Sequence, residues 1–167
     1  MSGFPFFNQG ALVDPGRDRD ATALIDLSGA APRHISYAAL DAMANAVARG
    51  LLRRGLARGD RIGILAANSA EFLAALYGAQ RAGLVAVPVN WRFPAATVDY
   101  VLRNSGAVLV FCDAARRATV PEGVAAVEMG GAEWDALLDP GPFAPVVPEP
   151  AEPALFLYTS GSTGRPK

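Results

Sequence analysis

The chain has a single cysteine, a single histidine and a single lysine in 167 residues. Cys112 has no partner for an internal disulfide and lies in an apolar run, so it reads as a buried structural thiol in a reducing, cytoplasmic setting. His34 has no Cys, His or carboxylate cluster around it, which excludes a transition-metal centre and places it on a surface turn. A net charge of −1 without a run of like sign leaves no electrostatic footprint for nucleic acid. The longest apolar runs, such as Leu84 to Val89, fall far short of the roughly twenty residues that cross a bilayer. Residues 1–7 lack the basic start and long apolar core of a secretory signal, and their aromatics are expected to pack locally. A soluble protein with one core, or at most two subdomains, is the expectation.

The lone lysine ends the most distinctive stretch, Tyr158-Thr159-Ser160-Gly161-Ser162-Thr163-Gly164-Arg165-Pro166-Lys167. Four Ser or Thr hydroxyls, two glycines and a cation follow the apolar run Ala154 to Leu157. By composition alone this is either a flexible tail or a strand feeding a phosphate-binding loop. Small residues let backbone N–H groups approach an oxyanion, hydroxyls add donors, and an ammonium offsets phosphate charge. Two features favour the loop: a lysine in a chain that otherwise uses fourteen arginines, and Pro166 stiffening the approach to it. It is not a Walker A, because Gly161, Gly164 and Lys167 are spaced three apart.

Upstream, Ala23–Leu27 and His34–Tyr37 flank Ser28–Arg33 and predict an antiparallel hairpin. Ser36 then caps a helix whose apolar positions Leu40, Ala44, Val47 and Leu51 step by four, three and four, with Arg53 and Arg54 at its end and Gly55 closing it. Ile62–Ala66, Leu84–Val89 and Ala107–Cys112 are apolar at successive positions, the pattern of strands buried on both faces. Between them, Ser69 caps a helix with Glu71 in its first turn, an apolar face of Phe72, Leu73, Leu76 and Tyr77, and Gly83 at its end. Pro94 stands at N1 of another helix, with Val98, Val101 and Leu102 facing inward until Gly106. Strands recurring about every twenty-two residues with helices between them predict a doubly wound α/β fold on a parallel sheet. That scaffold says little about chemistry. No G-x-G-x-x-G follows its first strand, which argues against a nicotinamide or flavin Rossmann site.

Past Asp113 the pattern weakens to a short helix, a strand over Val124–Glu128 and a turn of helix around Trp134–Leu138. Six of the fifteen residues from Asp139 to Pro153 are proline, predicting an extended connector. The domain reading is therefore an α/β subdomain over 1–138, a connector over 139–153, and over 154–167 the strand and loop of a next subdomain, so that this strand is expected in a different sheet or subdomain from the parallel one.

Tyr158 to Lys167 resembles the signature loop of the adenylate-forming enzymes, roughly Y-T-S-G-T-T-G-x-P-K, with Ser162 as the one departure. Arg61–Phe72 resembles the family's G-D-R-V-A-I-x-x-x-N-S-x-E-F stretch, and Gly78–Arg92 its G-x-x-x-A-G-x-x-x-x-P-x-N-x-R stretch. The resemblance spans about 140 residues. It implies a two-step reaction in which a carboxylate attacks the α-phosphorus of ATP, and a thiol, commonly that of coenzyme A, then takes the acyl group. It implies that Thr159, Ser160, Gly161, Ser162, Thr163, Gly164 and Lys167 contact the triphosphate, with Lys167 catalytic, Thr159 beside Mg²⁺, and Arg165 facing solvent. Asn68, Asn90 and Arg92 are read as turn and helix-end residues without a catalytic role.

The adenine contacts, acyl pocket and C-terminal domain of such an enzyme lie outside this stretch. The expectation is an N-terminal piece, inactive alone, of an acyl-CoA or aryl-CoA synthetase whose remainder completes the site. The start at Met1 close to the first family segment favours that class. An enzyme loading a carrier protein, and a non-catalytic α/β binding module with a phosphate-recognising tail, are the alternatives.

Overall fold

Strands β1 (Thr22–Asp26) and β2 (Arg33–Ser36) pair antiparallel, as the flanked turn predicts. The computed structural model describes residues 7–11, 18–159 and 166. The phosphate-loop residues Ser160 to Arg165 and Lys167, and the aromatics Phe4 and Phe6, lie outside the described residues. Exposed His34 lies within β2 opposite Ile25, so it is a strand residue rather than a turn residue.

Four parallel strands form the main sheet: β3 (Arg61–Leu65), β4 (Val85–Pro88), β5 (Ala107–Cys112) and β6 (Ala126–Glu128), in the order β4-β3-β5-β6. Helices α1 (Tyr37–Arg53), α2 (Ala70–Arg81), α3 (Ala95–Ser105) and α4 (Ala132–Leu137) cover its two faces. On one face Ile62, Ile64, Leu109 and Phe111 meet Val47 and Leu51 of α1, Ala75 and Ala79 of α2, and Trp134 of α4. On the other, Leu65, Val87, Val110 and Cys112 meet Val98, Val101 and Leu102 of α3. Successive strand side chains point to opposite faces, so unbroken apolar runs are what a sheet covered on both sides requires. Each large side chain buried here contributes about 1.5–3 kcal/mol.

The caps follow the sequence. The Ser36 Oγ accepts from the Ala39 amide at 3.2 Å and the Ser69 Oγ from the Phe72 amide at 3.1 Å. Gly106 ends α3 with φ of 67°, a left-handed conformation that glycine adopts without a Cβ penalty. Pro94 is the N-cap of α3 rather than its first helical residue, and the short helix after Asp113 is a 3-10 turn over Ala114–Thr119.

The expected inner face of α2 is corrected. Phe72, Leu73, Leu76 and Tyr77 are half-buried, whereas Ala70, Ala74, Ala75, Gly78 and Ala79 are buried. Small residues win because α1 crosses close: a Cβ on Gly78 would lie 2.6 Å from the Val47 Cβ. Phe72 and Leu76 still pack on the same core from their half-buried positions.

Of the expectation that the final strand lies in a different sheet or subdomain, the sheet is corrected, and the segment forms an isolated bridge rather than a strand. Leu155 forms a parallel bridge with Ala86, extending the β4 edge of the same sheet. The Phe156 amide donates to the Ala86 carbonyl at 2.9 Å and the Ala86 amide to the Ala154 carbonyl at 3.2 Å. An open edge strand offers unpaired N–H and C=O groups, and this segment takes them up.

Candidate functional site

The segment leading to the predicted loop straddles the β4 edge. Leu155 joins the face held by α1 and α2, while Phe156 and Tyr158 pack on the face held by α3. The Tyr158 hydroxyl donates to Asn104 Oδ1, in the last turn of α3, at 2.7 Å. Burial, with the neighbouring Tyr100 phenol, pushes the Tyr158 hydroxyl above its ordinary pKa, so it stays a donor at physiological pH. Of the predicted site residues, Thr159 is the one described, and it is exposed. Beyond the loop, buried Pro166 lines a cavity of about 610 Å³ with Thr97, Asp99, Tyr100, Arg103 and Asn104 of α3.

Arginine holds the route to this segment. Residues 139–153 contain no helix or strand. Arg49 Nε donates to the Asp139 carbonyl at 3.1 Å, and Arg58 Nη2 to the Val147 carbonyl at 3.0 Å while pairing with Glu152. The Val146 amide donates to the Arg81 carbonyl at 2.9 Å. The Arg81 side chain, 3% exposed, donates to the Gly10 carbonyl at 2.7 Å and the Asp41 carbonyl at 3.0 Å, and pairs with the Asp41 carboxylate at 2.8 Å. Asn8 Nδ2 closes the node, donating to the Gln80 and Val146 carbonyls at 3.0 and 2.8 Å. A guanidinium presents five donors in a planar fork, which suits it to several carbonyls at once; an ammonium does not.

A second polar region sits where the connections reverse direction, at the carboxyl ends of β3 and β5, the place open α/β sheets commonly use for ligands. Ser28, Ala67, Asp113, Arg116 and Met129 are among the residues lining a cavity of about 380 Å³ there. Asp113 accepts from the Ala67 amide at 2.9 Å and the Arg116 amide at 3.0 Å, and pairs with the Arg116 guanidinium at 2.8 Å. Arg116 in turn stacks 4.3 Å from the Trp91 ring centroid, with Arg92 at 4.9 Å. These charges are spent on one another. Asn90 Oδ1 accepts from the Arg92 amide at 3.0 Å, the turn role expected for that residue.

Two further groups are structural. Burial alone would raise the Asp26 carboxyl, but hydrogen bonds from the Ser28 and Ala70 amides, at 2.8 and 2.9 Å, and from Arg33 outweigh it. The group is held far below the usual carboxylate range, and Arg33 passes on to Glu71 at 2.9 Å, which locks the hairpin to the start of α2. Cys112 is fully buried with its Sγ 3.9 Å from the Val127 carbonyl, and burial pushes its thiol up, which keeps it un-ionised and inert.

Sequence reasoning singled out none of Asp26, Arg81, Asn104 or Asp113. A charge inside the apolar run Leu24-Ile25-Asp26-Leu27 and an Asp directly after β5 were the available signals. Arg81 and Asn104 carry none, since their partners lie 36 or more positions away.

A parallel α/β layer with an antiparallel hairpin, and the Ala154–Phe156 segment bonded to its β4 edge, is the architecture of the N-terminal part of an adenylate-forming enzyme. The ATP-bound MatB structure from Rhodopseudomonas palustris superposes with a TM-score of 0.75 at 32% identity, over 89% of this chain and 31% of that one. The AMP-binding enzyme pattern matches residues 13–167, and the chain belongs to the AMP-binding enzyme family. Among its relatives, the fatty acid–[acyl-carrier-protein] ligase ScoC of Streptomyces coeruleorubidus is 37% identical over 143 residues, covering 81% of this chain and 27% of ScoC. The long-chain-fatty-acid–CoA ligase FadD13 of Mycobacterium tuberculosis (strain ATCC 25618 / H37Rv) is 36% identical over 143 residues, covering 80% of this chain and 28% of FadD13. The chain thus spans little more than a quarter of these relatives. Among the described residues, no helix is long and apolar enough to cross a membrane.

Proposed function

We propose that this chain supplies the triphosphate-binding wall of an ATP-dependent, AMP-forming acid–thiol ligase, an acyl-CoA or aryl-CoA synthetase. The observation that carries the reading is the Tyr158–Lys167 sequence, lying inside a family match over 13–167 and following directly on Leu155, which is bridged to the β4 edge. The carboxylate oxygen attacks the α-phosphorus, the bond to the bridging oxygen breaks, and pyrophosphate leaves. The thiol of coenzyme A then attacks the acyl carbon and AMP leaves. This chain's part is electrostatic: loop amides, the hydroxyls of Thr159, Ser160, Ser162 and Thr163, and the Lys167 ammonium hold the β- and γ-phosphates as charge moves toward the leaving group. Gly161 and Gly164 let the backbone approach, and each charge-assisted hydrogen bond is worth about 1.5–3 kcal/mol. Mg²⁺ takes oxygen ligands; Thr159, which is exposed, would offer it a hydroxyl, and the ion would supply charge neutralisation at the phosphates. The buried thiol of Cys112 fits a reducing, cytoplasmic compartment.

In this reading residues 1–138 are scaffold, 139–153 the connector, and 154–167 the start of the subdomain that continues the enzyme. A carrier protein as acyl acceptor is the second reading, favoured by the likeness to ScoC. The complete ligase carrying this segment is expected to exchange labelled pyrophosphate into ATP in the presence of its cognate acid. Silence across a broad panel of carboxylic acids would overturn the reading. Acyl transfer to coenzyme A or to a phosphopantetheinyl carrier protein then separates the two acceptors.

A further inference from the structure

Both ends of the predicted loop stand on one helix. Among the described residues, the last backbone hydrogen bond tying the incoming segment to the sheet is that of the Phe156 amide to Ala86. Leu157 then turns out to 64% exposure and Thr159 is exposed, so packing does not fix the chain on either side of Tyr158. Tyr158 itself packs on the α3 face, and its hydroxyl bond to Asn104, at 2.7 Å, is the last hydrogen bond before the loop among the described residues. After the loop, Pro166 is buried beside the same stretch of α3. The helix is itself fixed, through Val98, Val101 and Leu102, to the second face of the sheet.

We propose that Asn104 is a positioning residue for ATP: through Tyr158 it sets the register and direction in which the chain enters the phosphate loop. The inference rests on the phosphate-loop reading and adds to it a residue outside the family's signature stretch. Asn104 is exposed and its side chain covers no core, so a role in packing leaves its acceptor unexplained. A phenylalanine at 158 would fill the same apolar space, and the phenol adds only the donor. Loop amides converge on an oxyanion only if the strand ahead of them is held, because effective binding of a triphosphate depends on donors placed before it arrives.

The test uses the complete ligase with Asn104→Ala, Tyr158→Phe, the double variant and Asn104→Asp, assayed by pyrophosphate exchange with ATP and acid varied in turn. Each single variant is expected to raise KM for ATP about fivefold, roughly 1 kcal/mol at 25 °C. KM for the acid and the melting temperature stay unchanged. The double variant is expected to be no worse than either single one, since both remove one interaction. Asn104→Asp, which keeps an acceptor for the phenol, should recover most of the loss. Tyr158→Phe keeps the packing, so the proposal stays testable if Asn104→Ala folds poorly. Tyr158→Phe matching wild type, additive single effects, or an equal rise in KM for the acid would overturn the positioning role alone. A wild-type rate without saturable dependence on ATP would overturn the phosphate-loop reading itself.

Discussion

From α1 to Glu152 the backbone is gripped by guanidinium groups, whereas from Ala154 to Thr159 it is held by a bridge to β4, a Gln80 amide, apolar packing and the Tyr158 phenol, with no guanidinium among the described residues. Arg49, Arg53, Arg58, Arg61 and Arg81 each donate to backbone carbonyls of a distant segment, and Arg81 does so from a fully enclosed position. The loop ends instead on the chain's only lysine. A fork that captures carbonyls suits a frame that must not move. A compact, strongly hydrated ammonium on a flexible stem suits a partner that arrives, reacts and leaves. The reversal point at β3 and β5 belongs with the frame: Asp113 and Arg116 face a cavity there but satisfy each other.

The contrast predicts that changes in the frame cost stability and changes at the β4 edge cost ATP use. The largest loss is expected for Arg81→Met, which leaves the Gly10 and Asp41 carbonyls and Asn45 Oδ1 without their buried donor, reduces the Asp41 carboxylate to its pair with Arg19 and loosens the N-terminal segment. A destabilisation of about 3–4 kcal/mol in urea titrations is expected, and one below about 1 kcal/mol would break the contrast. Asp26→Asn should cost about 2 kcal/mol at neutral pH, because the Ser28 and Ala70 amides lose a charged acceptor. The folded Asp26 pKa is depressed, so its stabilisation is present above the unfolded value of about 3.9 and is lost as pH falls through the folded one. Wild type and variant should therefore converge in urea midpoint as pH drops below about 4; a gap that holds constant would remove the carboxylate from the account. Smallest is Asp99→Asn on the solvent side of α3, where an i,i+4 pair with Arg103 is exposed at both ends; the melting temperature should move by no more than about 2 °C.

Much of the frame was legible because its signals are local. Ser36 and Ser69 each announce a helix start within three residues, Gly106 a helix end, and the apolar runs Ile62–Leu65 and Ala107–Cys112 a two-sided sheet. What failed depends on distances that sequence spacing does not encode. The inner face of α2 is set by how closely α1 crosses Gly78, so alanines displaced the larger side chains the periodicity favoured. The Leu155–Ala86 bridge joins residues 69 positions apart across a proline-rich connector whose composition suggested a separate sheet. The proposed site rests on residue types alone, which Thr159 to Lys167 state outright in the sequence. The supports of that site were not, because Asn104 and Arg81 are unremarkable until their partners are seen.

The lysine at the end of the loop bears most directly on the central claim. In the complete ligase, Lys167→Ala should slow pyrophosphate exchange by a factor on the order of 10² while leaving the melting temperature within about 2 °C of wild type. An exchange rate equal to wild type would contradict the assignment of this segment to the triphosphate of ATP.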